Sequence, residues 1–270
     1  MQIEKNIKPD YVSYSSIKDF KFCPFYYKLT RIDKITSGGD SIHTAFGKAL
    51  HKTAENIFKQ EKEGSFDYQK DFSDNFDSEI SSLSEVVRSK LIEKDLKEFN
   101  QQGRDLAVLV FPAATEYFGE FEFISAEESL MEDIVDYKID DFKFKGYIDL
   151  IIKTKKDGIY HIIDWKTCSW GWDLKKKSDT MLTYQLTYYK YFFSKKLNVS
   201  VDKIQTHFGL LKRTAKKDRV EIFDIACGEK KIGNALKLLQ ESIFNIDHDR
   251  FMKNRLSCER CVFRKTIHCP

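Results

Sequence analysis

Two short apolar runs, GYIDLII at residues 146–152 and YHIIDWKT at residues 160–167, each carry an aspartate where a buried strand would carry another aliphatic side chain. Runs of this kind read as strands of a well-buried sheet. A carboxylate among them is costly unless it is paired or bound to a cation, so Asp149 and Asp164 restrict the chain to folds that supply such a partner. Asp164 and Lys166 stand two apart and project from one face of a strand, and Asp149 reaches that face from the neighbouring strand. Two carboxylates and an ammonium then converge. That set suits phosphodiester hydrolysis, with the carboxylates holding Mg2+ or Mn2+ and the lysine orienting the nucleophile or offsetting developing charge. The competing reading, a turn aspartate beside a surface Asp–Lys pair, is the commoner fate of a bare D-x-K triplet. The surrounding chain has to decide between them.

Of the 270 residues, 41% are hydrophobic and 32% charged, with 12 Gly and 4 Pro, which excludes a linker-rich or disordered chain and allows one substantial core. Basic residues number 45 against 42 acidic ones, a net charge of +3, so any attraction to DNA has to be local. Lys175, Lys176 and Lys177, and then Lys212, Arg213, Lys216, Lys217 and Arg219, are the candidate phosphate-contacting patches, although such runs also occur as plain solvated faces. The start, MQIEKNIKPDYVSY, has no apolar stretch like a signal peptide, and no run of about 18 apolar residues occurs. A cytoplasmic protein is expected, whose six cysteines are to be read for metal or cluster binding rather than disulfides.

Along the chain, Ser15 and Ser16 are expected to cap a short helix carrying Ile17, Phe20 and Phe22, which Cys23-Pro24 ends. A second helix is expected between Ser41 and Phe58 on the face of Ala45, Ala49, Ala54, Ile57 and Phe58, with His51 inside it. A helical insertion follows over about 60–118, divided at Gly103. From Phe121 the text turns strand-like in FEFISAEESL, DIVDYKID, FKFKGYIDLIIKT and GIYHIIDWKT, with Asp140-Asp141 and Lys156-Asp157-Gly158 as turns, and predicts a twisted antiparallel meander. An aromatic-rich helix from Leu182 to Phe193, a strand in IQTHFGLLKRT, a helix from Lys230 to Phe244 and a basic, cysteine-rich tail complete the reading.

Four ordered motifs resemble the RecB-like branch of the PD-(D/E)XK nucleases. G-Y-I-D at Gly146 to Asp149 resembles the branch's G-x-I-D motif, and I-I-D-W-K-T at Ile162 to Thr167 its D-x-K motif. G-K-A-L-H from Gly47 to His51 resembles its helical G-x-x-x-H element, whose histidine commonly ligates metal. Y-Q-L-T-Y-Y from Tyr184 to Tyr189 resembles its Gln-x-x-x-Tyr helix, which lies beside the catalytic residues and contacts substrate. The resemblance implies an α/β fold, a mixed restriction-endonuclease-like sheet flanked by helices, in a single nuclease domain over 1–270 with its core at about 119–225. It implies catalytic roles for Asp149, Asp164, Lys166, Gln185 and Tyr189, and a metal held by His51, Asp149 and Asp164. Taken alone, His51 also reads as a satisfied helical histidine, and Gln185 and Tyr189 as packing partners of Tyr188 and Phe192. Related nucleases carry a glutamate on the strand before the first aspartate, which points to Glu127, although alternation does not separate it from Glu128.

Cys258-x2-Cys261-x7-Cys269 gathers three thiols in the tail of about 245–270, one ligand short of a four-thiolate centre, and Cys23 is available as the fourth. F-K-F-C-P-F-Y-Y around Cys23 resembles the N-terminal Cys-Pro element of the iron-sulfur RecB-like nucleases, including the AddB subunit and the CRISPR-associated adaptation nuclease. That implies a [4Fe-4S] cluster tying the two ends of the chain together; Zn2+ on the same cysteines and free thiols are the alternatives. Cys168 and Cys227 are assigned to neither and read most simply as small buried side chains.

The expected function is a metal-dependent DNA exonuclease acting on single strands or duplex ends in recombination, repair or CRISPR-type adaptation. The alternative is a non-cutting DNA-binding or scaffold subunit of such a complex. No G-x-x-x-x-G-K-[ST] phosphate loop occurs, so helicase, recombination or CRISPR-adaptation proteins are candidate partners. The compact, lysine-rich chain suits a phage or mobile-element nuclease working in a host cytoplasm.

Overall fold

The computed structural model describes residues 10–35, 39–60, 66–134 and 142–270. A three-residue strand β1 (Tyr11–Ser13) leads straight into α1 (Tyr14–Phe22). The N-cap of α1 is Ser13, whose side chain accepts from Ser16 N–H; Ser15 and Ser16, expected as caps, lie in the first turn. Cys23 ends α1 in an extended conformation, and Pro24 opens the short α2 (Pro24–Tyr27), where its missing N–H costs nothing. A π-helical turn at Lys28–Ile32 follows.

The expected His51 helix is α3 (Ile42–Gln60), with Ala45, Ala49, Ala54, Ile57 and Phe58 on its buried face. The expected insertion contains α4 (Tyr68–Ser81), the single turn α5 (Glu85–Arg88) and α6 (Glu93–Phe118). Gly103 does not divide it. A methyl group at Gly103 would come 2.0 Å from the Phe72 ring, so the glycine is there to let α4 lie against an unbroken α6.

The sheet holds β1, β2 (Phe121–Asp133), β3 (Lys143–Thr154), β4 (Tyr160–Cys168), β5 (Ile204–Lys212) and β6 (Val220–Asp224). The helices α7 (Leu174–Lys177) and α8 (Thr180–Leu197) connect β4 to β5, and α9 (Glu229–Asp247) follows β6. Only β2, β3 and β4 form the expected antiparallel meander. Because β1 runs parallel to β3 and β5 parallel to β4, the sheet is mixed, as the family resemblance implied. FEFISAEESL and the first residue of DIVDYKID form one continuous strand; residues 135–140 of the second piece, and the turn at Asp140-Asp141, lie outside the described residues.

Helices cover both faces. On one, α1, α8 and α9 bury Ile17, Tyr188, Phe192 and Leu239 against Phe144, Ile162 and Phe208. On the other, α3, α4 and α6 bury Leu50, Phe72, Phe76 and Leu106 against Ile152, Ile163 and Trp165. The helical insertion is therefore a core layer of the molecule. The cysteine-rich tail packs on the N-terminal helices, with Phe263 against Tyr26 and Phe25 N–H donating to the Met252 carbonyl at 3.3 Å.

Candidate active site

One edge of β3 is paired with β2 along its whole length, from Lys143–Asp133 to Thr154–Phe121. The other edge is shared: β1 pairs with residues 143–145 and β4 with residues 150–153. Between them, among the described residues, the edge from Gly146 to Asp149 has no strand beside it, and β4 departs at Ile163 to continue along β5. A strand leaving its neighbour opens a fork, and Asp149 and Asp164 are the first residues past the last β3–β4 pair.

Within that fork the Trp165 backbone N–H donates to Asp149 Oδ2 at 2.8 Å, and His51 Nδ1 on α3 lies 3.3 Å from the same oxygen. Asp164 is 1% exposed. Lys166 Nζ approaches its Oδ2 at 2.6 Å as an ion pair, yet Oδ2 receives no hydrogen bond of good geometry. The indole of Trp165 points the other way, into the α3–α6 layer, and so anchors the strand that presents Asp164 and Lys166.

Burial pushes Asp164 up to about 6, with Lys166 opposing and Asp149 adding to the rise. Burial acts on Asp149 in the same sense, but His51, Lys166 and the Trp165 N–H outweigh it and hold this carboxyl below its ordinary range. For His51 and Lys166 burial disfavours the charged form, and the two aspartates overcome it and raise both groups. The site is thus two carboxylates of unlike acidity set against the Lys166 ammonium and an imidazole whose protonation they favour.

Glu127 lies opposite Asp149, between the pairs Ala126–Leu150 and Glu128–Ile148. Its backbone is left-handed, φ 54°, an uncommon state for a glutamate and a mark of a strained position. Glu128 instead turns to Lys196 Nζ on α8 at 2.5 Å. Glu127 lines a cleft with Gly47, His51 and Glu55, and burial together with Asp149 and Glu55 raises its pKa. Glu55, which sequence reasoning passed over, is one helical turn from His51 on α3 and is bridged by Lys52 and Lys59; that four-residue spacing was the available signal.

Gln185 Nε2 donates to Tyr189 Oη at 3.2 Å on α8. Tyr189 packs on the sheet face at Gly146, where an added Cβ would stand 2.8 Å from its ring. Burial and the nearby Asp164 raise the Tyr189 hydroxyl, so it stays protonated.

The donor types of the fork fit a hard divalent cation: the two carboxylates of Asp149 and Asp164, the latter buried, and the His51 imidazole. The ion pairs use the same atoms that would ligate it, and among the described residues no three His, Cys, Asp or Glu side chains are drawn together as a metal site. In a separate cavity of about 360 Å³, Cys23, Cys258, Cys261 and Cys269 all line the walls. Cys23 Sγ there accepts from Asn254 N–H at 3.2 Å. Cys227 is buried against Thr187 and Thr206, away from this group, and Cys168 is half-buried at the end of β4.

Among the described residues no helix is long and apolar enough to cross a membrane. A comparison with curated proteins gives no match. A solved structure of a protein described as a "putative exonuclease" from Eubacterium rectale superposes with a TM-score of 0.58 at 14% identity, covering 97% of this chain and 91% of that one. At that identity the likeness is one of fold. The sequence profile of the PD-(D/E)XK nuclease superfamily matches residues 11–266, nearly the whole of the chain that forms the sheet, the fork and the tail, and the chain belongs to that superfamily.

Proposed function

We propose that this nuclease is a metal-dependent deoxyribonuclease that removes nucleotides from single-stranded DNA or from duplex ends. The observation that carries the reading is the buried Asp164, 1% exposed, whose Oδ2 is paired with Lys166 Nζ at 2.6 Å while the charge of Asp149 lies close by at the mouth of the fork. Asp149, Asp164 and His51 would hold Mg2+ or Mn2+. When bound, the ion supplies Lewis-acid activation of water and offsets charge on the scissile phosphate. Lys166 presents its ammonium beside Asp164, where it orients the attacking water and accepts the charge that builds on a phosphate oxygen. Gln185 and Tyr189 present protonated donors that position the substrate backbone. Glu127, across from Asp149, is the further carboxylate of the centre.

Action on ends is supported by the description of the Eubacterium rectale protein with the same fold. We place the activity in DNA recombination, repair or CRISPR-type adaptation, alongside helicase or recombination partners and in the cytoplasm. The four cysteines of the second cavity suit a [4Fe-4S] cluster, with Zn2+ as the alternative occupant, and the amide directed at Cys23 Sγ is the kind of contact that thiolate ligands receive. Such a centre staples the tail to α1 and α2. The test is to compare end-labelled linear with circular single-stranded DNA in Mg2+ or Mn2+: linear strands are shortened and circles persist. Circles cut as fast as linear strands overturn the exonuclease assignment.

A further inference from the structure

Another cavity, of about 400 Å³ and distinct from the cysteine-lined one, opens along the same uncovered edge of β3 and shares Gln185 and Tyr189 with the catalytic fork. Its floor is β3 itself. Lys145, Tyr147 and Asp149 follow one another at every second residue, so Lys145 stands roughly 13 Å along the strand from Asp149. That is too far to serve the scissile phosphate and suits a neighbouring unit of the same strand.

The walls carry three kinds of group. Lys145 Nζ sits over the Tyr11 ring at 4.6 Å and near the Tyr147 ring at 5.9 Å, with no carboxylate paired to it among the described residues. Tyr11 and Tyr147 are exposed aromatic faces on a rigid sheet. The third group is the start of α1, where Ser13 and Ser15 hydroxyls lie 2.9 Å apart at a helix N-terminus, the end that favours phosphate.

An independent sign of a ligand comes from Tyr14 and Tyr27, which both line the cavity. Their hydroxyls are buried and have no hydrogen-bond partner among the described residues, and Tyr27 is 0% exposed. A buried hydroxyl without a partner is unfavourable, and natural proteins keep few of them. Burial pushes Tyr27 up to about 12 and raises Tyr14 as well, so both remain donors in search of an acceptor. Arg31 adds a guanidinium whose Nε and Nη2 are fixed by Asp19, leaving Nη1 outside that pair.

We propose that this cavity is a subsite for one nucleotide unit of a single-stranded substrate, adjacent to the nucleotide that carries the scissile bond. The phosphate lies between Lys145 and the start of α1, and the base takes the faces of Tyr11 and Tyr147 that the Lys145 ammonium now covers. A base stacked there has to be unpaired, so the subsite favours a single strand over a duplex. The inference rests on the nuclease reading for its substrate class.

The test measures binding apart from cleavage: anisotropy of a labelled short oligodeoxythymidylate, and of a blunt duplex, without divalent cation and over a salt series. Tyr147→Ala is expected to weaken single-strand binding by roughly five-fold or more. Lys145→Ala is expected to lower the slope of log affinity against log salt by about 0.7, the signature of one lost phosphate contact. Tyr27→Phe keeps the ring and the packing and removes only the unpartnered hydroxyl, so it is expected to weaken binding with no loss of thermal stability. A wild-type protein that binds single strands no better than duplex, or variants with unchanged affinity and slope, overturns the subsite while any cleavage by the wild type leaves the nuclease reading standing. The expected binding changes in a protein that fails to cleave with Mg2+ or Mn2+ uphold the subsite and overturn the nuclease reading.

Discussion

Asp149 and Trp165 are joined across the mouth of the fork, the Trp165 backbone N–H donating to Asp149 Oδ2 at 2.8 Å just where β3 and β4 cease to pair. Asp149 therefore has a structural task as well as a charge. Asp149→Asn retains an acceptor for that N–H but removes a buried charge that His51 and Lys166 face, so it is expected to lose cleavage and to lose less stability than Asp149→Ala. Asp149→Ala leaves the N–H without an acceptor, at a cost of about 1–3 kcal/mol, and is expected to lose both cleavage and stability. Urea unfolding of the two variants, read against their activities, separates the roles.

Glu127 and Glu128 make a sharp pair for mutation. Glu127→Gln removes a carboxylate facing Asp149 and is expected to raise the concentration of Mg2+ or Mn2+ needed for half-maximal cleavage by roughly ten-fold or more. Glu128→Gln loses only the ion pair with Lys196 and is expected to leave the metal requirement unchanged. Equal effects of the two would contradict the assignment.

Much of the site was legible because carboxylates interrupt apolar runs: Asp149, Asp164 and Lys166 announce themselves by being out of place in GYIDLII and YHIIDWKT. Glu127 was not separable from Glu128, because the left-handed turn of the backbone at Glu127 breaks the two-residue alternation on which such a choice depends. Gly103 misled for a related reason. Its role depends on Phe72, thirty-one positions away, and no local pattern reveals that contact. The fork was also hidden, since β1 is only three residues long and pairs parallel with a strand far along the chain.

The Gly103 contact gives a prediction opposite to helix propensity. Gly→Ala inside a helix ordinarily stabilises by about 1 kcal/mol. Here the added methyl would stand 2.0 Å from Phe72 Cζ, so Gly103→Ala is expected to destabilise by about 1–3 kcal/mol. A lower urea midpoint checks it.

A buried histidine pair sets an acid limit on stability. His161 Nδ1 and His207 Nε2 lie 2.9 Å apart, His161 Nε2 lies 3.2 Å from Thr154 Oγ1, and His207 Nδ1 faces Asp224. Burial, reinforced by His161, lowers His207 to about 3, and burial lowers His161 too. Because the folded values lie below the ordinary 6.5, the unfolded chain takes up protons first as pH falls, and stability is lost between about 6.5 and 3. The expected loss is about 1.4 kcal/mol per pH unit for His207 across that window, with His161 adding in the same direction. His207→Phe is expected to flatten that slope in urea titrations at successive pH values, and an unchanged slope would remove the pair from the account.

The central claim is that Asp164 and Lys166, paired in the fork, carry hydrolysis. The direct measurement is cleavage of end-labelled single-stranded DNA with Mg2+ or Mn2+ by the wild-type protein and by Asp164→Ala and Lys166→Ala, each verified as folded. The account predicts metal-dependent cleavage by the wild type and a loss on the order of a hundred-fold or more in each variant. Cleavage at wild-type rate by either folded variant would contradict it.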